Sequence, residues 1–145
     1  MLFEQQLDPE ANRMAAFTSP DPGDRAAFAA KWARILADET VTARTVVDAG
    51  AVAGTVTLWR DEALDAPEVS YWLGKEFWGR GLATAALAAF LHEVETRPLY
   101  GRAAKDNLAS IRVLEKCGFV LQREERGYAT ARGEEIAEVV LRLEA

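Results

Sequence analysis

The sequence predicts an α/β (α+β) fold, a mixed sheet with helices on both faces, and three observations predict it. Residues 41–59 hold two runs of period two, with Val41, Ala43, Thr45 and Val47 before Asp48-Ala49-Gly50 and Val52, Gly54, Val56 and Leu58 after it, which is the pattern of an antiparallel hairpin. A glycine-rich step, Gly79-Arg80-Gly81, leads from one short strand into an apolar helix and on to another short strand, a unit expected to form a right-handed parallel crossover. Two further extended runs flank Ala131-Arg132-Gly133 near the end of the chain and read as a closing hairpin.

Taken in order, Asp8 to Phe17 is a short mixed stretch that Ser19-Pro20-Asp21-Pro22-Gly23 breaks with turn residues. Asp24 can then cap a second helix, in which Phe28, Trp32, Ile35 and Leu36 recur at helical spacing, so one face should pack on a sheet. After the first hairpin a third strand covers Glu68 to Gly74. The helix from about Leu82 to Glu95 is apolar almost all round in its first turns, the pattern of a helix buried in the middle of a domain. Pro98 to Ala103 reads as a strand. The next helix opens at Asp106 or Asn107 and ends at Gly118, with Phe119 placed as the apolar residue of a Schellman stop. Phe119 to Tyr128 and Ile136 to Leu143 pair last.

The 145 residues, half hydrophobic and 28% charged, suit one globular domain. One cysteine, Cys117, and one histidine, His92, exclude an internal disulfide and give no His/Cys cluster at zinc-ligand spacing, so no metal is expected. The most apolar stretch, Leu82 to Leu91, is far short of the ~20 residues that span a bilayer, and Met1-Leu2-Phe3-Glu4 has no basic leader, so a cytoplasmic protein with no membrane partner is expected. A net charge of −6 speaks against nucleic acid as a partner and suits a cationic substrate.

The chemistry concentrates in Tyr71-Trp72-Leu73-Gly74-Lys75-Glu76-Phe77-Trp78-Gly79-Arg80-Gly81-Leu82-Ala83-Thr84. A glycine loop at a helix N-terminus offers backbone N–H groups and the positive end of the helix dipole to a phosphate, and Arg80 adds charge. Taken alone it reads equally well as a tight turn into a helix. It is no P-loop, because Leu82-Ala83 follows Gly81 where Lys-Ser or Lys-Thr is needed. Nor is it a dinucleotide fingerprint, which would need Gly or Ala at Thr84.

Trp78-Gly79-Arg80-Gly81-Leu82-Ala83 does resemble the signature [RQ]-x-x-G-x-[GA] of the GNAT N-acetyltransferase superfamily. Trp78 departs from the first position, a variant similar to the RimJ/RimL-type branch. Asp106-Asn107-Leu108-Ala109-Ser110-Ile111-Arg112-Val113-Leu114-Glu115-Lys116-Cys117-Gly118-Phe119 resembles a second block of that branch, and the likeness runs from about Val41 to the end. It implies a single N-acetyltransferase domain over residues 1–145, built on a mostly antiparallel twisted sheet of six to seven strands. It also implies acetyl-CoA as cosubstrate, an amine acceptor, direct attack in a ternary complex, and a monomer or homodimer. The pyrophosphate would rest on Trp78, Gly79, Arg80, Gly81, Leu82, Ala83 and Thr84. The pantetheine would pair with the strand ending at Leu73, whose N–H would face the thioester oxygen, and Asn107 and Ser110 would line the thiol end.

The resemblance also assigns the proton chemistry. Many members protonate the leaving thiolate with a tyrosine where this chain has Leu114, so Ser110, one turn earlier, is the nearest donor; a serine satisfying backbone at a helix start is the other reading. Glu68 resembles the general base that histone-acetylating members carry on the equivalent strand, against a solvent-facing glutamate at a strand start. Asn12, Arg13 and Trp59 are candidates for the acceptor side. Trp32 and Trp72 read as core or cleft wall, His92 as structural and Cys117 as a packed thiol. A catalytically weak acyl-CoA-binding module is the alternative function.

Overall fold

The computed structural model describes residues 2–16, 21–61 and 65–144. Along them run α1 (Leu2–Gln5), α2 (Pro9–Ala15), α3 (Arg25–Ala37), β1 (Thr42–Asp48), β2 (Ala51–Asp61), β3 (Ala66–Leu73), α4 (Leu82–Glu93), β4 (Leu99–Ala104), α5 (Leu108–Lys116), β5 (Val120–Ala129) and β6 (Glu134–Leu143), with a single 3-10 turn at Lys75–Phe77 before α4. The strands form one sheet in the order β1-β2-β3-β4-β6-β5, in which only β3 and β4 run parallel. The expected fold is therefore present, with six strands.

Local chemistry explains the hairpin and the helix ends. Ala49 and Gly50 both have positive φ, 50° and 82°, the I′ geometry whose twist matches an antiparallel pair. Asn107 caps α5 by accepting the Ser110 N–H at 3.2 Å. At its other end Gly118 adopts φ 97° while its N–H bonds the Glu115 carbonyl and the Phe119 N–H bonds that of Leu114, the Schellman arrangement the sequence predicts.

The two faces of the sheet differ. One carries Val46, Val56, Leu58, Val69, Leu73, Leu99, Ala103, Val139, Leu141 and Leu143, which pack with Leu87, Phe90 and Leu91 of α4 and Leu114 of α5 into the main core. By the alternation of strand side chains the other presents Thr55, Thr57, Trp59, Glu68, Ser70, Trp72, Arg102 and Glu138 towards α1–α3. Between β3 and β4 the register holds one pair, Glu68 with Tyr100, and past it the strands part towards their C-terminal ends. That parting positions the site.

Several expectations need correcting. Three helices, not two, precede β1, and the Ser19-Pro20 half of the expected turn and Phe17 lie outside the described residues. Asp24 does cap α3, accepting the Ala27 N–H at 2.9 Å, yet no residue of α3 is buried and Leu36 is 75% exposed. Helical spacing marks an apolar face but not what lies opposite, and here the half-buried Phe28, Trp32 and Ile35 border a cavity. Helix α4 is likewise not enclosed: Leu87, Phe90 and Leu91 are buried while Ala85 and Ala89 are exposed. Its apolar look came from alanines, which favour helix and tolerate water.

Candidate active site

Every residue expected in catalysis or cofactor binding except Arg80 borders one cavity of about 1280 Å³, which runs from the first turn of α4, through the parting of β3 and β4, to the space under α3. At its α4 end Gly79 and Gly81 hold φ 78° and 72°, and a Cβ built on either would have no atom within 4 Å. The glycines thus supply a left-handed backbone and leave open space above it. Gly81 is the N-cap of α4 and no side chain caps the helix, so the N–H groups of its first turn, at Leu82, Ala83 and Thr84, keep the unpaired donors of a helix start. The cradle fits a pyrophosphate.

Two neighbours behave differently from expectation. The Trp78 indole N–H donates to the Leu73 carbonyl at 3.1 Å and its backbone N–H to the Lys75 carbonyl, so Trp78 braces the loop against the end of β3 and keeps neither donor for a ligand. Arg80 turns away from the cradle: its guanidinium pairs with Asp48 of the β1–β2 turn at 3.0 Å, donates to the Glu76 carbonyl and lies 5.6 Å over the Phe77 ring. A strand-end acid captures the charge that the sequence assigns to the phosphate.

Along β3 the backbone itself is informative. The Gly74 N–H bonds the Ala53 carbonyl, so Gly54 and Leu73 form a non-hydrogen-bonded pair and the N–H of Leu73, like that of Tyr71, turns from β2 towards the parting. Across the parting stands α5. Asn107 caps the helix with its oxygen and donates from its amide nitrogen to the Met14 carbonyl at 3.1 Å, which joins α5 to the end of α2 and leaves one amide hydrogen and one oxygen lone pair for a ligand. Ser110, in the first turn of α5, shares a small recess with Tyr71 of β3. Burial pushes the Tyr71 phenol above its ordinary value, and the neighbouring Ser110 hydroxyl offsets part of this. No local motif points to this pairing, because Tyr71 and Ser110 lie on different elements. Leu114 is buried over Gly101 of β4, which has no room for a Cβ.

Glu68 is no surface carboxylate. It is 4% exposed on the polar face of the sheet, 3.3 Å from Arg102 Nε, and the same guanidinium reaches Glu138 at 3.3 Å and Glu125 at 4.0 Å. Three carboxylates thus surround one cation in the cavity wall, and a lone buried carboxylate would be costly without that partner. Trp32, Trp59 and Trp72 all border the cavity, and Trp72 Nε1 is buried there without a hydrogen-bond partner among the described residues. Asn12 borders it too, but its amide is bonded to the Gln6 and Asp8 carbonyls. Arg13 does not; it lends its carbonyl to Arg132. His92 is exposed on α4, and Cys117 packs with Sγ 3.7 Å from the Thr84 carbonyl, its thiol pushed up by burial. No helix among the described residues is long and apolar enough to cross a membrane.

Comparison with known proteins adds to this geometry. A family model described as acetyltransferase (GNAT) domain matches residues 1–120, so the likeness includes the N-terminal helices. No curated protein matches the sequence. Among solved structures, RimJ of Mycobacterium smegmatis in complex with CoA-disulfide is similar with a TM-score of 0.82 at 20% identity over 99% of this chain and 76% of its own. The microcin C7 self-immunity acetyltransferase MccE, in complex with acetyl-CoA and AMP, gives 0.79 at 19% over 99% and 85%. The spermidine N-acetyltransferase SpeG of Vibrio cholerae gives 0.73 at 17% over 99% and 91%.

Proposed function

The chain belongs to the acetyltransferase (GNAT) domain family and is an acetyl-CoA-dependent acetyltransferase acting on amines; on that premise we propose that it is a RimJ/RimL-like member, one domain over residues 1–145, that acetylates a primary amine of a protein N-terminus or small molecule by direct attack in a ternary complex. The observation that carries the reading is the alignment of three parts along one cavity: the open Gly79–Gly81 cradle at the uncapped start of α4, the Leu73 N–H turned into the parting of β3 and β4, and the buried Glu68.

Acetyl-CoA supplies an activated acyl group, and the chain's residues do the rest. The first-turn N–H groups of α4, at Leu82, Ala83 and Thr84, hold the pyrophosphate, with Gly79 and Gly81 giving the backbone access to it. Arg80 strengthens this end only through the field left after its pairing with Asp48. Asn107 accepts from the pantetheine arm. The Leu73 N–H stabilises negative charge on the thioester oxygen as the amine attacks. Glu68, directly or through a water, removes the proton that an ammonium of pKa ~8 to 10 carries at neutral pH. Ser110 returns a proton to the thiolate. The carboxylates around Arg102 exceed its charge, which favours a cationic acceptor, and the apolar Phe28, Trp32 and Ile35 above them favour one with an apolar body beside its amine. One cysteine and no disulfide suit operation in the cytoplasm.

The test is thiol release from acetyl-CoA over a panel of amines that includes peptides with free N-termini, aminoglycosides and polyamines. Turnover confined to some amines and lowered on the order of a hundredfold at pH 7 by Glu68→Gln supports the reading, and acetyl-CoA binding with no turnover on any amine defeats it.

A further inference from the structure

Ser110 alone is a poor acid. An alkyl hydroxyl is far less acidic than a thiol, whose ordinary pKa is about 8.5, so a serine that gives its proton to a thiolate must be resupplied as it does so. The fold provides a source. Tyr71 projects from β3 on the face opposite Glu68, is partly buried against the main core, and lies beside Ser110, whose hydroxyl eases the ionisation of its phenol. Both residues border the main cavity, and both also border a smaller polar recess of about 50 Å³ that Ser70, Arg102, Val69 and Leu114 complete. Either oxygen of the pair can donate.

We propose that Tyr71 is a positioning and proton-supplying residue that acts through Ser110: the phenol donates to Ser110 Oγ, which leaves the serine's own hydrogen directed at the cavity. Resting on the reading of Ser110 as the acid, the step balances as follows. The C–N bond forms, the attacking nitrogen releases its surplus proton to solvent in the cavity, and the C–S bond breaks with the electron pair left on sulfur. The thiolate takes the Ser110 hydroxyl proton while Ser110 Oγ takes the phenolic proton of Tyr71. The phenolate then recovers a proton from solvent at the cavity. Even raised by burial, a phenol stays far nearer a thiol in acidity than an alkyl hydroxyl does, so the paired transfer avoids a serine alkoxide. The arrangement restores on a strand the tyrosine that Leu114 removes from the helix, with the serine as intermediary.

The experiment is a double-mutant cycle on steady-state rates with Tyr71→Phe, Ser110→Ala and the double variant, each checked by melting temperature and by acetyl-CoA Kd. Tyr71→Phe keeps the ring and its packing and should lower kcat roughly tenfold or more with the KM for acetyl-CoA nearly unchanged, the scale of loss when a reacting hydrogen is misdirected. Ser110→Ala should lower kcat at least as far, and the double variant should match it, since removing the intermediary removes the effect of what lies behind it. Ser110→Thr, which keeps the hydroxyl, should restore sensitivity to Tyr71→Phe. Wild-type kcat in Tyr71→Phe, losses that multiply in the double variant, or a loss in Tyr71→Phe with none in Ser110→Ala each overturn the proposal. If Tyr71→Phe is normal while Ser110→Ala is slow, this inference fails and the assignment of Ser110 survives; if neither matters, both fail.

Discussion

Glu68 shows how burial changes the meaning of a residue. At a strand start beside a proline a glutamate is ordinarily solvated, and here it is enclosed with Arg102 and two further carboxylates. Glu68→Gln keeps the shape and removes the charge, so turnover at pH 7 should fall on the order of a hundredfold while acetyl-CoA affinity stays near that of wild type. The deficit should shrink at high pH, where the amine loses its proton unaided. A rate within a few-fold of wild type with an unchanged pH profile would reduce Glu68 to a partner of Arg102. The residue types at the site were legible in sequence, but their engagements were not. Trp78, Arg80 and Asn107 all hold bonds to other elements that no local motif encodes. Period two places Tyr71 on the core face, where its ring does pack, and nothing local shows that its hydroxyl lies beside Ser110 of α5.

At the scale of elements, the start of α4 separates two roles of a glycine. Gly81 has positive φ and open space around it, so Gly81→Val should strain the backbone by about 1–2 kcal/mol and also place bulk over the cradle. Gly133, in the β5–β6 turn, has φ 66° and equally open surroundings. Gly133→Val should therefore cost similar stability and leave acetyl-CoA binding intact, whereas Gly81→Val should abolish it. Normal binding by a folded Gly81→Val variant would make the loop only a turn. A second device joins the entry of α5 to the β5–β6 turn: Arg132 pairs with Asp106 through both guanidinium nitrogens and donates to the Arg13 carbonyl. The hydrogen bond from Arg132 holds the Asp106 carboxyl below the usual carboxylate range. Because the folded value lies below the unfolded one, the clip stabilises fully above about pH 4 and loses its effect as pH falls through the folded value. Asp106→Asn should thus lower the melting temperature at pH 7, and the difference should narrow below about pH 4; a constant difference down to pH 2.5 would show that ionisation plays no part.

For the whole molecule, the strand order follows from two hairpins and one crossover that the sequence displays, which is why the fold was readable from period and glycine placement. The cavity was not, because it arises where those units meet: β3 and β4 share one register pair, and α3 spans the gap with its apolar side half exposed. That helix meets α1 through Phe28, whose ring lies 5.4 Å from that of Phe3, and through Arg25, 4.9 Å over the same Phe3 ring, while the Phe28 and Trp32 rings lie along α3 itself at 6.4 Å. Trp32→Ala should accordingly cost stability less than about 1 kcal/mol, against the several lost at a buried aromatic, while raising the KM for the amine acceptor. An unchanged KM would remove α3 from the acceptor site.

The same loose joining makes ligand binding a reporter of the entire assembly. On the proposed placement a cosubstrate would sit where β3 and β4 share a single register pair and would touch β3, α4 and α5 together, and a ligand bound only by the folded state stabilises it by mass action. At a hundredfold excess over Kd the gain is about 2.7 kcal/mol, which for a chain of this size raises the melting temperature by roughly 5–10 °C. Acetyl-CoA should produce that shift. ATP and NAD should produce much less, because each offers a pyrophosphate to the α4 cradle but no pantetheine arm for the backbone of β3. Gly81→Val should lose the acetyl-CoA shift, and Glu68→Gln should keep it, since the proposed role of the carboxylate is towards the acceptor. Equal shifts with all three ligands would reduce the site to an anion-binding helix start, and no shift with acetyl-CoA would remove the cosubstrate from the parting of the strands.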